Sequence, residues 1–241
     1  MISNENLKEV INYLEENQAP VITEVAGQDF SNKRIYPIQK VQPETLTVAT
    51  LGAAISYIKS NVDKYEGQFV INILDSRRVA VYTSLEPKTR QREHLLEVRT
   101  PDCRPTFCQW VGLQNFIIEL RSRFVPTEHS AQILSALGNV KKEDGVQIKD
   151  DGFSQELTTK KGVSYEKEDL PNPVTLKPFR TFPEIEQPAS EFVFRVDSDM
   201  ECRLEEADGG IWRIVATKRI AEYLTENLEH ELAEGKVIIL A

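Results

Sequence analysis

Cysteine and histidine are the side chains from which a nucleophile or a metal centre is most readily built, and this 241-residue sequence has three of each. A thiol nucleophile needs a base beside it, and His94 is the only histidine near Cys103 in the chain. Cys108 is read as lying in the first turn of a helix, where a thiol pKa falls, but its aromatic neighbours predict a buried, inert group. His94, His129 and His230 are far apart, and Cys103 and Cys108 lack the two-residue spacing of a zinc knuckle. Asp197-Ser198-Asp199 begins like a calcium loop, yet Cys202 stands where the sharp turn needs glycine. Pro101-Asp102 and Gln147-Ile148-Lys149 faintly echo the acidic residue and lysine of a magnesium-dependent nuclease, without the second carboxylate before the lysine, and chance explains them better. The sequence contains no G-x-x-x-x-G-K-[ST] phosphate cradle, no G-x-G-x-x-G turn and no G-x-S-x-G elbow. These residues predict a binding protein that is not an enzyme and carries no cofactor or metal.

Recognition chemistry has more material. Arg77, Arg78, Lys88, Arg90, Arg92, Arg99 and Arg104 concentrate positive charge, and Glu222 to Glu234 concentrate negative charge. Such opposed regions are ordinarily two solvated faces, and they can also pair between subunits or touch DNA. Phe179 and Phe182 flank Arg180, and an exposed F-R-x-F would stack on bases, whereas a buried one would pin its own segment to the fold. Arg90, Arg92, Arg180 and Phe182 are therefore the candidate binding residues. The net charge of −9 argues against a protein whose main affinity comes from neutralising many phosphates.

The elements that must position these groups follow from periodicity. Leu7, Val10, Ile11 and Leu14 predict an amphipathic helix from residue 4 to about 17, stopped before Pro20. Val21 to Val25 reads as extended, Gly27 to Lys33 as a polar loop, and 33–42, with Pro37, as an edge strand. Leu51, Ala54, Ile55, Ile58 and Val62 predict a helix opened by Thr45 or Thr47 and ending near Gly67. Residues 68–74 and 78–84 form a hairpin across Asp75-Ser76-Arg77, and 94–100 a third strand, with the charged loop 86–93 projecting between. Thr106-Phe107-Cys108-Gln109 has the form of a capping box. It opens a helix through Trp110, Ile117 and Phe124 whose aromatic face is core, and a second helix from about Glu128 to Val140 completes a helical hairpin on the sheet.

Beyond residue 142 the texture changes. Residues 146 to about 167 read as a β-meander with turns at Asp151-Gly152 and Lys161-Gly162. Five of the twelve prolines fall between Pro171 and Pro188, too many for a helix or a central strand, which predicts an extended strap or a linker between two sheets. Residues 191–216 read as three strands, with turns at 197–199 and at Gly209-Gly210, where a hairpin needs positive φ. Ile220, Leu224, Leu228 and Leu232 predict a helix capped by Thr217, and VIILA a final buried strand whose truncation should unfold the protein.

The segments LKPFRTFPEIEQP, EADGGIWRI and DDGFSQELTTKKGVSYE, together with the Trp110 helix, resemble the YfdQ-like proteins of phages and prophages, from about residue 40 onward. That resemblance implies a phage-derived cytoplasmic protein, often encoded near replication and recombination functions, and it brings no activity, cofactor or catalytic residue with it. The charged start MISNENLKEV and the lack of any run near the ~18 apolar residues of a membrane span agree with no export and no membrane. Three cysteines without paired spacing suit a reducing compartment. The expected architecture is α+β, with mixed, largely antiparallel sheets and about four to five helices. It divides into residues 1–142, carrying the basic loop, and 143–241, carrying the strap and a terminal helix and strand. The expected function is a phage accessory protein that forms a homo-oligomer and acts by binding. The alternatives are a nucleic-acid accessory in phage recombination or replication, and sequestration of a nucleotide signal in counter-defence.

Overall fold

The computed structural model describes residues 4–25, 28–34, 43–87, 90–138, 147–150, 154–161 and 164–241. Among them lie, in order, α1 (Asn4–Asn17), β1 (Ile22–Val25), β2 (Gln28–Ser31), β3 (Leu46–Val48), α2 (Leu51–Ser60), β4 (Phe69–Asp75), β5 (Arg78–Thr83) and β6 (His94–Arg99). They continue with β7 (Val111–Gly112), α3 (Leu113–Ser122), β8 (Phe124–Val125), α4 (Glu128–Gly138), β9 (Gln147–Asp150), β10 (Ser154–Lys161), β11 (Ser164–Pro171) and β12 (Val174–Pro178). The series ends with β13 (Ser190–Val196), β14 (Glu201–Glu206), α5 (Trp212–Asn227), α6 (Glu229–Ala233) and β15 (Val237–Leu240). This is an α+β protein, as its sequence leads one to expect, and it divides into two units, Met1–Gln42 and Pro43–Ala241.

The smaller unit holds α1 and a hairpin. Leu7, Val10, Ile11 and Leu14 form the expected helical stripe, but the polar stretch read as a loop is strand β2, paired antiparallel with β1. Asn32 closes that hairpin, its carboxamide oxygen accepting from the Val21 N–H at 2.8 Å while its own N–H donates to the Val21 carbonyl. Side-chain closure of this kind lets a polar sequence stay extended. The edge strand expected over 33–42 falls almost wholly outside the described residues.

The larger unit is built on two five-stranded sheets and a three-stranded one. In the first, β4, β5 and β6 run antiparallel, with β15 added parallel to β4 and β3 parallel to β6. Its core joins Leu51, Ile55 and Ile58 of α2 to Ile71, Val81 and Val98 of the sheet and to Ile220, Leu224 and Leu228. The second sheet, in the order β7-β14-β13-β12-β8, is antiparallel, and its core joins Phe116 and Leu120 of α3 and Ile133 and Leu137 of α4 to Leu176, Phe192, Phe194 and Leu204. β9, β10 and β11 make the expected meander.

Both large sheets draw strands from either side of residue 142, since β15 pairs with β4, β14 with β7 and β12 with β8. The division expected at 142/143 is therefore not a boundary of this unit.

Helix ends depart from expectation for identifiable reasons. Thr50, not Thr45 or Thr47, caps α2 by accepting from the Ala53 N–H, and Thr45 donates to the His94 carbonyl instead. Asn61, in the left-handed region at φ 44°, ends α2 well before Gly67. Thr106-Phe107-Cys108-Gln109 is not a capping box: Val111 and Gly112 pair with β14, which keeps the chain extended until Leu113. The Thr106 hydroxyl donates to Glu119, and Trp110 is 42% exposed rather than core.

Gly209 and Gly210 do adopt positive φ, but they turn the chain from β14 into α5, not into another strand. Trp212, Ala216, Ile220 and Leu224, four apart, make the buried stripe of that helix. β15 is an edge strand of which only Val237 is buried.

The proline-rich stretch resolves into two parts. Val174 to Pro178 is a strand between β13 and β8, with Val174 and Leu176 fully buried. Proline enters it only at the last residue, where a lost N–H costs the ladder least. Phe179 to Pro188 joins β12 to β13, neighbours in the second sheet, and so is not a linker between two sheets; it crosses out to the first core, where Phe182 and Ile185 are buried, and returns. The buried Gln187 side chain substitutes for a ladder there: its oxygen accepts from the Arg180 and Thr181 N–H groups at 3.0 and 3.2 Å, and its amide donates to the Phe182 carbonyl. A crossing segment buried this way needs all its backbone groups paired.

Truncating Phe182 to alanine should lower the unfolding free energy by about 3–5 kcal/mol in urea melts, because the ring is wholly buried between elements that cannot close over the gap.

Candidate functional site

Arg180 is the most heavily partnered of the four expected binding residues, and it faces inward. Only 3% exposed, its guanidinium lies 3.9 Å from the centroid of the Trp212 ring and 5.9 Å from that of Phe192. One terminal nitrogen meets Glu206 at 2.5 Å and the other donates to the Ser190 hydroxyl, which donates in turn to Asp208. Desolvation pulls the guanidinium down to about 10, opposed by Glu206 and Asp208, so it remains charged at neutral pH. Burial pushes the Asp208 carboxyl up, but hydrogen bonds from Ser190 and the Gly210 N–H, with the charge of Arg180, hold it below the ordinary range. Phe182 is fully buried as well. Neither residue can stack on a base; both pin the crossing segment to its own fold.

Arg90 and Arg92 are exposed on the charged loop, of which residues 88 and 89 lie outside the described set. The described residues of the loop bond to its stem and to one another. Arg92 donates to the Thr83 carbonyl at 3.1 Å, and the Arg90 N–H donates to the Glu86 carbonyl at 2.8 Å.

The other described arginines of the basic run are committed to nearby acids. Arg78 pairs with Asp75, Arg99 with Glu97, and both Arg77 and Arg104 with Asp102. Arg123 pairs with Glu119 and donates to the Arg104 carbonyl. Asp102, Cys103, Arg104, Thr106, Phe107 and Arg123 border a cavity of about 680 Å³ whose cations are thus largely neutralised before any ligand arrives. The Asp102 carboxylate, expected at most as a metal ligand, accepts from Arg104 through both oxygens and is held well below the usual range by those bonds. Lys149, its suggested companion, lies in β9, whose side chains are outside the described set.

The histidines serve separate places. His94 stacks on Tyr82 at 4.7 Å, the His129 ring accepts from the Thr175 N–H at 2.7 Å, and His230 lies 3.4 Å from Glu234. Among the described residues no three potential metal ligands come together. Cys108 is exposed at φ 59°, not buried in a helical turn, and its N–H donates to the Leu204 carbonyl. Asp197 forms a tight turn by accepting from the Asp199 and Glu201 N–H groups, which uses the carboxylate a calcium loop would need.

A second cavity, of about 730 Å³, was not legible in the sequence. Lys59, Lys64, Tyr65, His230, Glu231 and Lys236 contribute to it, drawn from α2, α6 and the turns beside them. Its walls carry both signs, and Lys236 already pairs with Glu234 at 2.7 Å.

Two outcomes are expected from these environments. Since folding depresses the Asp208 pKa, the stability it lends is present above its ordinary value near 3.8 and is lost as pH falls through the lower folded value. Urea melts should show that Asp208→Asn is less stable than the parent at neutral pH and that the difference shrinks on acidification. Burial pushes the Cys202 thiol up to about 12, while Cys103 and Cys108 are exposed, so a thiol reagent should titrate two groups in the native protein and the third only after denaturation.

Comparison of the chain with protein-family models, with curated proteins and with solved structures returns no match, so it is assigned to no family.

Proposed function

We propose that this chain is an accessory protein that works as a homo-oligomer and acts by binding, in the cytoplasmic phage setting that its resemblance to YfdQ-like proteins implies. The observation that carries the reading is in the smaller unit. Leu7, Val10, Ile11, Tyr13, Leu14, Val21, Ile22 and Phe30 are 46–67% exposed, so the smaller unit by itself buries none of the large apolar side chains described in α1 and its hairpin. A helix of 14 residues and a lone two-stranded hairpin are each marginal in water without a surface to pack on. An amphipathic stripe with no core beneath it is the form in which a helix meets a groove or another copy of itself.

The charge distribution supports association over nucleic-acid binding. The arginines at 77, 78, 99, 104 and 123 each face a carboxylate of the chain, which lowers the net charge that this stretch could offer to a phosphate backbone. Arg180 and Phe182, half of the residues expected to touch a strand, are inside the fold. No helix among the described residues is long and apolar enough to cross a membrane.

Mass photometry tests the reading. The parent is expected to run as a multimer at micromolar concentration, and Leu7→Lys with Ile11→Lys to lower that mass without changing the far-ultraviolet circular dichroism. A parent that stays monomeric would overturn it, and salt-dependent gel shifts by that monomer would favour the nucleic-acid alternative instead.

A further inference from the structure

Edge strands expose unpaired backbone groups, and natural sheets blunt them by shortness, charge, proline or bulges. Three of the four edges of the large sheets follow that rule. β7 and β8 have two residues each, and β3 has three, preceded by Pro43 and Glu44. β15 follows it least: it is the longest of the four at four residues, Val237-Ile238-Ile239-Leu240 has no charge, proline or bulge within it, Lys236 stands only at its start, and among the described residues no strand pairs with its outer side.

Its outward groups can be identified. The Phe69 N–H donates to the Lys236 carbonyl at 2.8 Å, and β15 runs parallel to β4 with Val237 beside Phe69 and Ile239 beside Ile71. Alternation along a strand then turns the backbone groups of Ile238 and Leu240 toward β4, and those of Val237 and Ile239 away from it.

We propose that two copies of this chain join through β15, antiparallel about a two-fold axis at Ile238, so that their first sheets become one continuous sheet. The proposal rests on the self-association proposed above and adds a second surface to the stripe of α1. About that axis Val237 of each copy exchanges backbone hydrogen bonds with Ile239 of the other, which uses the outward groups and no others.

The side chains suit a copy as occupant. Val237 belongs to the first core and Ile239 packs against it, so the buried layer would run across the junction. On the opposite face Ile238, 40% exposed, would meet its symmetry mate, and Leu240, 49% exposed, would lie beside the aliphatic stem of Lys236 of the other copy. No ionisable side chain within β15 opposes itself across the axis. Because the other edges are blunted, growth of the sheet stops at two copies.

Two substitutions probe the junction from different sides. Ile239→Pro removes an N–H that the alternation of β15 turns away from β4, and Ile238→Lys sets two ammonium groups against each other at the axis while altering a side chain already 40% exposed. Sedimentation equilibrium should show the mass falling to about half or less in each variant with the urea midpoint nearly unchanged. In the parent, hydrogen exchange at the Val237 and Ile239 amides should slow as concentration rises. Should Ile239→Pro fail to fold, Ile238→Lys decides alone. A multimeric parent whose mass neither folded variant changes would overturn the β15 junction and leave self-association standing; a monomeric parent would overturn both.

Discussion

A buried positive charge fixes the architecture of the larger unit. Removing a guanidinium from water is costly unless opposite charge and hydrogen bonds follow it inside, and Arg180 is met by Glu206 and Ser190, with Asp208 beyond, under the face of Trp212. Those partners come from β13, β14 and the turn into α5, so the crossing segment, the second sheet and the helix over the first sheet are set by one arrangement of charge. Stacking on Trp212 adds the favourable face of an aromatic ring where water is excluded. Gln187 completes it from the backbone side, pairing the N–H groups of Arg180 and Thr181 that a ladder would otherwise hold.

Much of the fold was legible wherever a single period dominated. The stripe of α2, the hairpin of β4 and β5, the strand β6, the helix α4 and the meander of β9 to β11 appear at or near their expected places. The misreadings share a cause: a local signal was overruled by a partner far away in the chain. Thr106 and Gln109 have the spacing of a cap, but pairing of Val111 with Cys202 holds that stretch extended. Gly209-Gly210 carries the positive φ that its composition demands, yet whether a strand or a helix follows depends on the i, i+4 stripe begun by Trp212, which the β-branched residues around it masked. Proline content alone misjudged β12, since what matters is which N–H is lost and not how many rings lie nearby.

The candidate site was less legible than the fold. Arg180 and Phe182 were found by type and spacing, which cannot say whether a cation beside an aromatic looks outward or inward. That depended on Glu206, Ser190 and Trp212, none of them sequence neighbours of Arg180. The basic run likewise looks like a phosphate-binding surface until Asp75, Glu97 and Asp102 are seen to answer its arginines at 77, 78, 99 and 104. What remains uncommitted is apolar: the face of α1 and the edge of β15 present side chains that bond to nothing polar and gain most by leaving water.

The parallel pairing of β15 with β4 has a consequence for synthesis. β4, β5 and β6 are made together, by Arg99, as three antiparallel strands whose core face awaits α5, which begins at Trp212, and whose β4 flank awaits β15, at Val237–Leu240. Until α5 and β15 are made, Ile71 and Val81 lack the shielding of Ile220 and Leu224, and the nascent chain carries an unpaired apolar flank over the whole interval from Arg99 to Val237. The chain thus passes through a stage in which a strand from elsewhere could take the position of β15, and a holding chaperone would be of most use to it at that stage.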